Sequence, residues 1–276
     1  MIPSFVKRSV DKYGLETRKY LEDTRTGMEK LSKEILPSMQ IPERDKLILV
    51  KWDQEAEVKV LAAMLYPHSH LPMDVLIKLV ETMDLEQRKK IISEYLSRRT
   101  NRRHKGGRAL ENASYTFDIL ANYGIFRDLH RHRMLTQEKQ DLTTKHGFDI
   151  PKHLVDAGFQ KEFVDAMQAA KNAFETISQK FPKQAQYVVP LGFKIRWYFN
   201  MTLREVFHLT ELRSIQQGHA DYRKIAQMIF LKVKEIHPAL GEMIKFVDMN
   251  EYSLERLEAE KKIDQKMEEL KKKYGT

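Results

Sequence analysis

No cysteine occurs among the 276 residues, which removes disulfides, thiolate zinc sites and any mechanism built on a cysteine nucleophile. No apolar run approaches the roughly 20 residues that a bilayer span requires, and residues 1–20 hold no apolar stretch suited to a secretory signal. Acidic residues are in the minority, 39 against 48 Lys and Arg, and the net charge of +9 favours anionic partners. Nucleotides, folates and nucleic acids all qualify on that ground. Internal repeats and low-complexity segments are missing as well. These absences point to a cytoplasmic globular protein, and its 42% apolar content and length allow a substantial core.

What is present falls into three parts: a helical leader over 1–40, a central domain over 41–247 and a charged helical tail over 248–276. The leader, VKRSVDKYGLETRKYLEDTRTGMEKLSKEIL, is rich in charge and helix formers, with apolar residues such as Val10, Leu21 and Leu31 widely spaced. It reads as lying outside the main core. After Pro42, KLILVKW suits a buried strand, and Asp53 offers an N-cap to a helix that runs through Leu65. Two amphipathic helices, DVLIKLVETM and QRKKIISEYL, lead into SRRTNRRHKGGR, where Gly106-Gly107 marks a loop. SYTFDIL clusters β-formers, and YGIFRDLHRHRM has helical spacing through Ile125, Leu129 and His132. Between Leu135 and Gly158, polar, Gly and Pro content implies a long loop of the kind that often carries function. A helix over residues 161–181 follows, then VVPLGFKIRWYF as a buried strand, and then two helices, LREVFHLTELR and HADYRKIAQMIFLKVKEI. The charged tail is expected to cover or pair.

The order of these elements, with TFDILANYGIFRDLHRHR and LREVFHLTELRSIQQGHADYRKIA as paired signatures, resembles the flavin-dependent thymidylate synthase (ThyX) family over roughly Leu47 to Phe246. The R-H-R triplet alone is weak; the joint match is much stronger. The resemblance implies an α/β fold with a central antiparallel or mixed sheet, flanking helices and helical extensions at both ends. It implies methylene transfer from methylenetetrahydrofolate to dUMP, using FAD with NADPH as reductant, in a homotetramer whose sites draw on several subunits. No enzyme thiol attacks the pyrimidine in that family, so a chain without cysteine remains eligible.

Such a site gathers several anions, and guanidinium forks match phosphate bidentately where lysine acts as a point charge. By resemblance, Arg131, His132 and Arg133 lie against flavin and nucleotide, and Arg204 contacts flavin. Arg213 takes the catalytic place, a cation beside N3 of the pyrimidine that stabilises charge developing in the ring. Glu111, with Arg108 three residues before it, corresponds to a flavin-adjacent segment.

The departures are as specific. Asp128 stands where a glutamine contacts dUMP, Gln186 where an arginine does, and His208 where an asparagine lies beside the flavin. In the loop, Thr136 keeps a hydroxyl. Glu138, Lys139 and Asp141 replace asparagine, glutamate and serine, and Thr143 and Thr144 replace arginine and tyrosine. Asp141 near a nucleotide phosphate would repel it unless Lys139 compensates. The flavin half of the site therefore looks better preserved than the dUMP half, with Lys139 and His208 falling to cofactor binding and Thr136, Lys139, Asp141 and Gln186 to the nucleotide.

Simpler explanations stand beside these. Arg131 and Arg133 suit a helix C-terminus on dipole grounds alone, and two exposed arginines nine apart would be ordinary on an amphipathic helix. His68 and His70 read as surface histidines, so no metal is expected. The six Lys and Arg from Arg98 to Arg108 suit a solvated loop or a phosphate-binding pocket entrance ahead of a nucleic-acid strip. Trp52 and Trp197 read as core. Two alternatives to the dTMP-forming activity remain: a non-catalytic paralogue serving as scaffold or partner subunit, and a flavoenzyme acting on another pyrimidine.

Overall fold

A computed structural model describes residues 3–36, 42, 44–252 and 257–275. The chain divides into two compact units, Met1–Arg44 and Asp45–Thr276. The expected boundary at residue 40 lies outside the described residues. The first unit holds α1 (Pro3–Val10) and α2 (Lys12–Ile35), separated at Asp11, whose carboxylate accepts the Gly14 N–H at 2.7 Å and caps α2. Neither helix buries a residue.

In the second unit, β1 (Leu47–Trp52) is followed by α3 (Ala56–Leu65), α4 (Met73–Thr82) and α5 (Leu85–Leu96), the last opened by an Asp84/Gln87 capping box. Next come β2 (Ser114–Asn122), α6 (Tyr123–Leu129), β3 (Leu135–Lys139), α7 (Lys152–Asp156) and α8 (Gln160–Ser178). The chain continues through β4 (Lys194–Thr202), α9 (Leu203–Arg213), α10 (Ala220–Ile236), α11 (Pro238–Glu242) and α12 (Leu257–Tyr274). The strands form an antiparallel sheet in the order β1-β2-β4-β3, so the fold is α/β with flanking helices, as the resemblance implies. Among the described residues, no helix is long and apolar enough to cross a membrane.

Alternation builds the core. On β2, Tyr115, Phe117, Ile119 and Ala121 are buried, and on β4 so are Ile195, Trp197, Phe199 and Met201. The opposite sheet face is polar and paired, with Arg196 donating to Asp118 at 2.6 Å and Asn200 to Thr116 at 2.7 Å. Helix α9 leaves the end of β4 directly, capped by Thr202, whose hydroxyl accepts the Glu205 N–H. Leu203, Val206, Phe207 and Leu209 sink into the core, and Glu205, Thr210 and Glu211 go in with them. Buried carboxylates require partners.

Five local expectations change. Helix α6 ends at Leu129, so His132 is outside it. The His130 carbonyl there is taken by the Gln137 side-chain amide at 3.0 Å instead of by a following helical turn. The expected loop after Leu135 begins with β3, whose backbone polar groups find partners along β4, although LTQEK has no strong strand signature. The strand expected from Val188 starts at Lys194, because residues 184–188 form a 3-10 turn and Pro190 cannot donate to a ladder. Asp53 lies ahead of α3, accepting the Glu55 N–H and pairing with Lys59 at 3.0 Å. Trp52, at the end of the edge strand β1, is 39% exposed, while Trp197 is buried as expected.

Candidate functional site

The site begins where β4 passes into α9. A cavity of about 320 Å³ opens there, lined by Arg102, Lys105, Glu111, Arg204, Phe207 and His208 among others. The loop after α5 reaches it through Gly106-Gly107. A Cβ on Gly107 would meet the Tyr95 hydroxyl and one on Gly106 the Leu110 side chain, so a larger residue at either position would require those side chains to shift.

Arg204 holds the loop to the helix. Its Nε donates to the Gly106 carbonyl at 3.0 Å and its Nη1 to Glu111 at 2.7 Å. Arg108, 84% exposed, adds a second contact to Glu111 at 3.2 Å. These two hydrogen-bonded cations, Arg204 first, hold the Glu111 carboxyl below the usual glutamate range. Arg99 forms a bidentate, buried ion pair with Glu211, and its guanidinium lies over the rings of Phe207 and Phe246, at 5.5 and 4.9 Å.

On the neighbouring side, His132 is buried with its Nδ1 2.6 Å from Glu205 Oε1, and its ring lies 5.3 Å from that of His208. The Arg213 Nε donates to His132 Nε2 at 2.9 Å. A guanidinium N–H has no acceptor capacity, so Nε2 must accept, and the ring proton must sit on Nδ1 and go to Glu205. Arg213 is half-buried, over the Tyr222 ring at 5.7 Å, and has no ion pair with a carboxylate among the described residues. Burial, and then the Arg131 charge, pull it below the ordinary arginine value. His208 accepts at Nδ1 from Lys105 at 2.8 Å, and burial followed by that ammonium lowers its pKa too.

Glu111, Arg204 and His208 line the cavity along α9, whereas His132 and Arg213 are not among its lining residues and reach its wall through Glu205 and the His208 ring. Arg131 is near Arg213 electrostatically but 60% exposed and paired with Asp128 at 2.6 Å. Arg133 is exposed and has no partner among the described residues. Thr136 sits on β3 opposite Asn200. Lys139 pairs in register with Trp197, about 17 Å of strand from Thr202 at roughly 3.4 Å per residue. Asp141 meets Lys183 at 3.1 Å, and Gln186 accepts the Leu142 N–H at 2.9 Å. Within one chain these last three lie away from the cavity.

Glu205, Glu211, Arg99 and Lys105 were missed as site residues. Arg99 and Lys105 belong to the basic segment read as a possible pocket entrance. The two glutamates carry a fainter signal: acids at positions of α9 that fall on its buried side. Glu205, His132 and His208 bring ligand atoms within 4.8 Å of one another, a spacing that could hold a metal ion. The Arg213 N–H argues against it, since a metal on Nδ1 would move the imidazole proton to Nε2, against a donor.

A family profile described as thymidylate synthase complementing protein matches residues 46–239. A UPF0159 protein of Chlamydia muridarum is 40% identical over 270 residues, covering 94% of this chain and 50% of the relative. A UPF0159 protein of Chlamydia pneumoniae is 37% identical over 265 residues, covering 94% and 49%. One from Thermoplasma acidophilum is 36% identical over 220 residues, covering 78% and 44%. The chain spans about half the length of the curated relatives it matches.

Proposed function

The chain belongs to the thymidylate synthase complementing protein family, and from that premise we propose that it carries out flavin-dependent formation of dTMP from dUMP. The observation that carries this reading is Arg213: a half-buried guanidinium, tethered through Nε to His132, in no ion pair among the described residues and attracted only at longer range by Asp128, which pairs with Arg131. A desolvated cation in that state favours an anion beside it.

The residues present fit an anionic cofactor with a flat ring. Arg102 and Lys105 supply positive charge to the cavity, and Met134, Phe207 and Leu212 give it an apolar side that excludes water. Arg204 and Glu111 hold the loop that closes it, and His208 lies in its wall. When bound, FAD supplies the redox chemistry, with NADPH as reductant and methylenetetrahydrofolate as one-carbon donor. Arg213 stabilises negative charge that develops at the pyrimidine N3 side, a preorganised electrostatic role that needs no enzyme nucleophile. Arg131 adds charge at the nucleotide. Thr136, Lys139, Asp141 and Gln186 serve a nucleotide site completed by another subunit of a homotetramer.

A second reading rests on β3 and the residues after it. Where the resemblance has arginines and a second serine, Asp141 pairs with Lys183 and Gln186 binds backbone. That arrangement favours a paralogue that keeps the fold as a scaffold or partner subunit, or a flavoenzyme acting on another pyrimidine. Titration with FAD, followed by turnover with NADPH, methylenetetrahydrofolate and dUMP, separates the readings. Flavin absorbance and dTMP formation support the first. Flavin binding without dTMP supports the second, and dCMP and RNA uridine serve as alternative substrates. A protein that takes up no flavin overturns both flavin readings.

A further inference from the structure

We infer that Glu205 is a positioning residue: through His132 it fixes which face of the imidazole Arg213 meets, and thereby the direction in which the guanidinium points. An isolated histidine has two neutral tautomers, and only the Nδ1–H form presents an acceptor to Arg213. Glu205 Oε1, 2.6 Å from Nδ1, selects that form by accepting a hydrogen bond from the Nδ1–H. Both side chains are almost wholly buried, 3% and 5% exposed, so water does not substitute for either partner.

The three groups come from two separate segments. Glu205 and Arg213 lie at opposite ends of α9, and His132 reaches between them from the turn after α6. Because Nε is bound to His132 and Tyr222 also hydrogen-bonds the guanidinium, the Arg213 side chain cannot rotate freely, and only the rest of its Nη edge is left for an incoming anion. The carboxylate also balances charge: Glu205 and Arg213 are joined through a neutral ring, which keeps the cation in a half-buried place that its own burial disfavours. Without Glu205 the ring could turn an N–H toward the guanidinium and push it away.

The catalytic consequence rests on the proposed dUMP reaction; the tautomer does not, and the two are measured separately. In protein labelled with 15N-histidine, long-range proton–nitrogen correlation identifies the tautomer of His132, assigned by its loss in His132→Gln. The Nδ1–H form is expected in the wild-type chain; the Nε2–H form or a fully protonated ring overturns the inference without recourse to any variant. Glu205→Leu is expected to lose the Nδ1–H signature and to lower kcat per bound flavin at least tenfold. Glu205→Gln, which keeps an acceptor, should restore most of both. Unchanged kcat per bound flavin in Glu205→Leu, with only a lowered Tm, would make Glu205 merely structural and overturn the positioning role. A chain that shows the Nδ1–H form but produces no dTMP keeps the tautomer assignment and loses the proposed reaction.

Discussion

Arg213 donates its Nε–H to His132 Nε2 at 2.9 Å, joining residues 81 positions apart. The R-H-R triplet and the arginine that ends α9 are therefore one structural unit. The middle residue of the triplet is the member that turns inward, and its two arginines stay exposed.

Replacing Arg213 with alanine removes the cation while leaving the Arg204–Glu111 clamp in place. Loss of one preorganised charge-stabilising donor costs roughly 10²–10³ in kcat. The expected result is that loss in dTMP formation with FAD absorbance retained. An Arg213→Ala protein with full turnover would remove it from the catalytic position.

Arg99 and Glu211 are a buried pair, and breaking one side leaves a charge without a partner. Arg99→Met or Glu211→Leu alone should destabilise the fold by about 3–5 kcal/mol. The double substitution should recover much of that, since neither charge then remains. Urea denaturation of the three variants against wild type measures the coupling.

Arg204 makes two directed contacts, to the Gly106 carbonyl and to Glu111. Lysine cannot make both from a planar fork. Arg204→Lys should loosen the loop and weaken FAD binding by about tenfold, a change equal to about 1.4 kcal/mol, with little change in Tm. Fluorescence titration with FAD provides the measurement.

Acidification should destabilise the protein through its histidines. His146, His208 and His237 are all held below the ordinary value of 6.5, chiefly by burial. Between that value and their lowered ones the unfolded chain binds more protons, so stability is present above about pH 6.5 and falls as pH drops through the window below it. Tm measured from pH 7.5 to 5 should decline, and His208→Asn should shallow the decline.

Much of the fold was legible because it rests on local pattern. The clustered β-formers of SYTFDIL and the apolar run ending in KIRWYF mark β2 and β4, though the alternation that buries one face emerges only in the structure, and the span of α9 matches LREVFHLTELR residue for residue. The family resemblance, and with it the candidate roles of His132, Arg204 and Arg213, also came from contiguous stretches. Less legible was β3, a short polar edge strand whose existence depends on an open neighbour in β4 and hardly at all on LTQEK.

By itself, then, the sequence determined the α/β class, the family and the lack of any thiol chemistry, since each follows from residue identity or short-range periodicity. Tertiary structure alone decided that Glu205 orients His132, that Glu211 neutralises Arg99, and that Lys139, Asp141 and Gln186 sit apart from the cavity. Those outcomes depend on partners 73 and 112 residues apart and on strand register. A buried charge chooses its counterpart by proximity after folding, and no spacing along the chain encodes that choice.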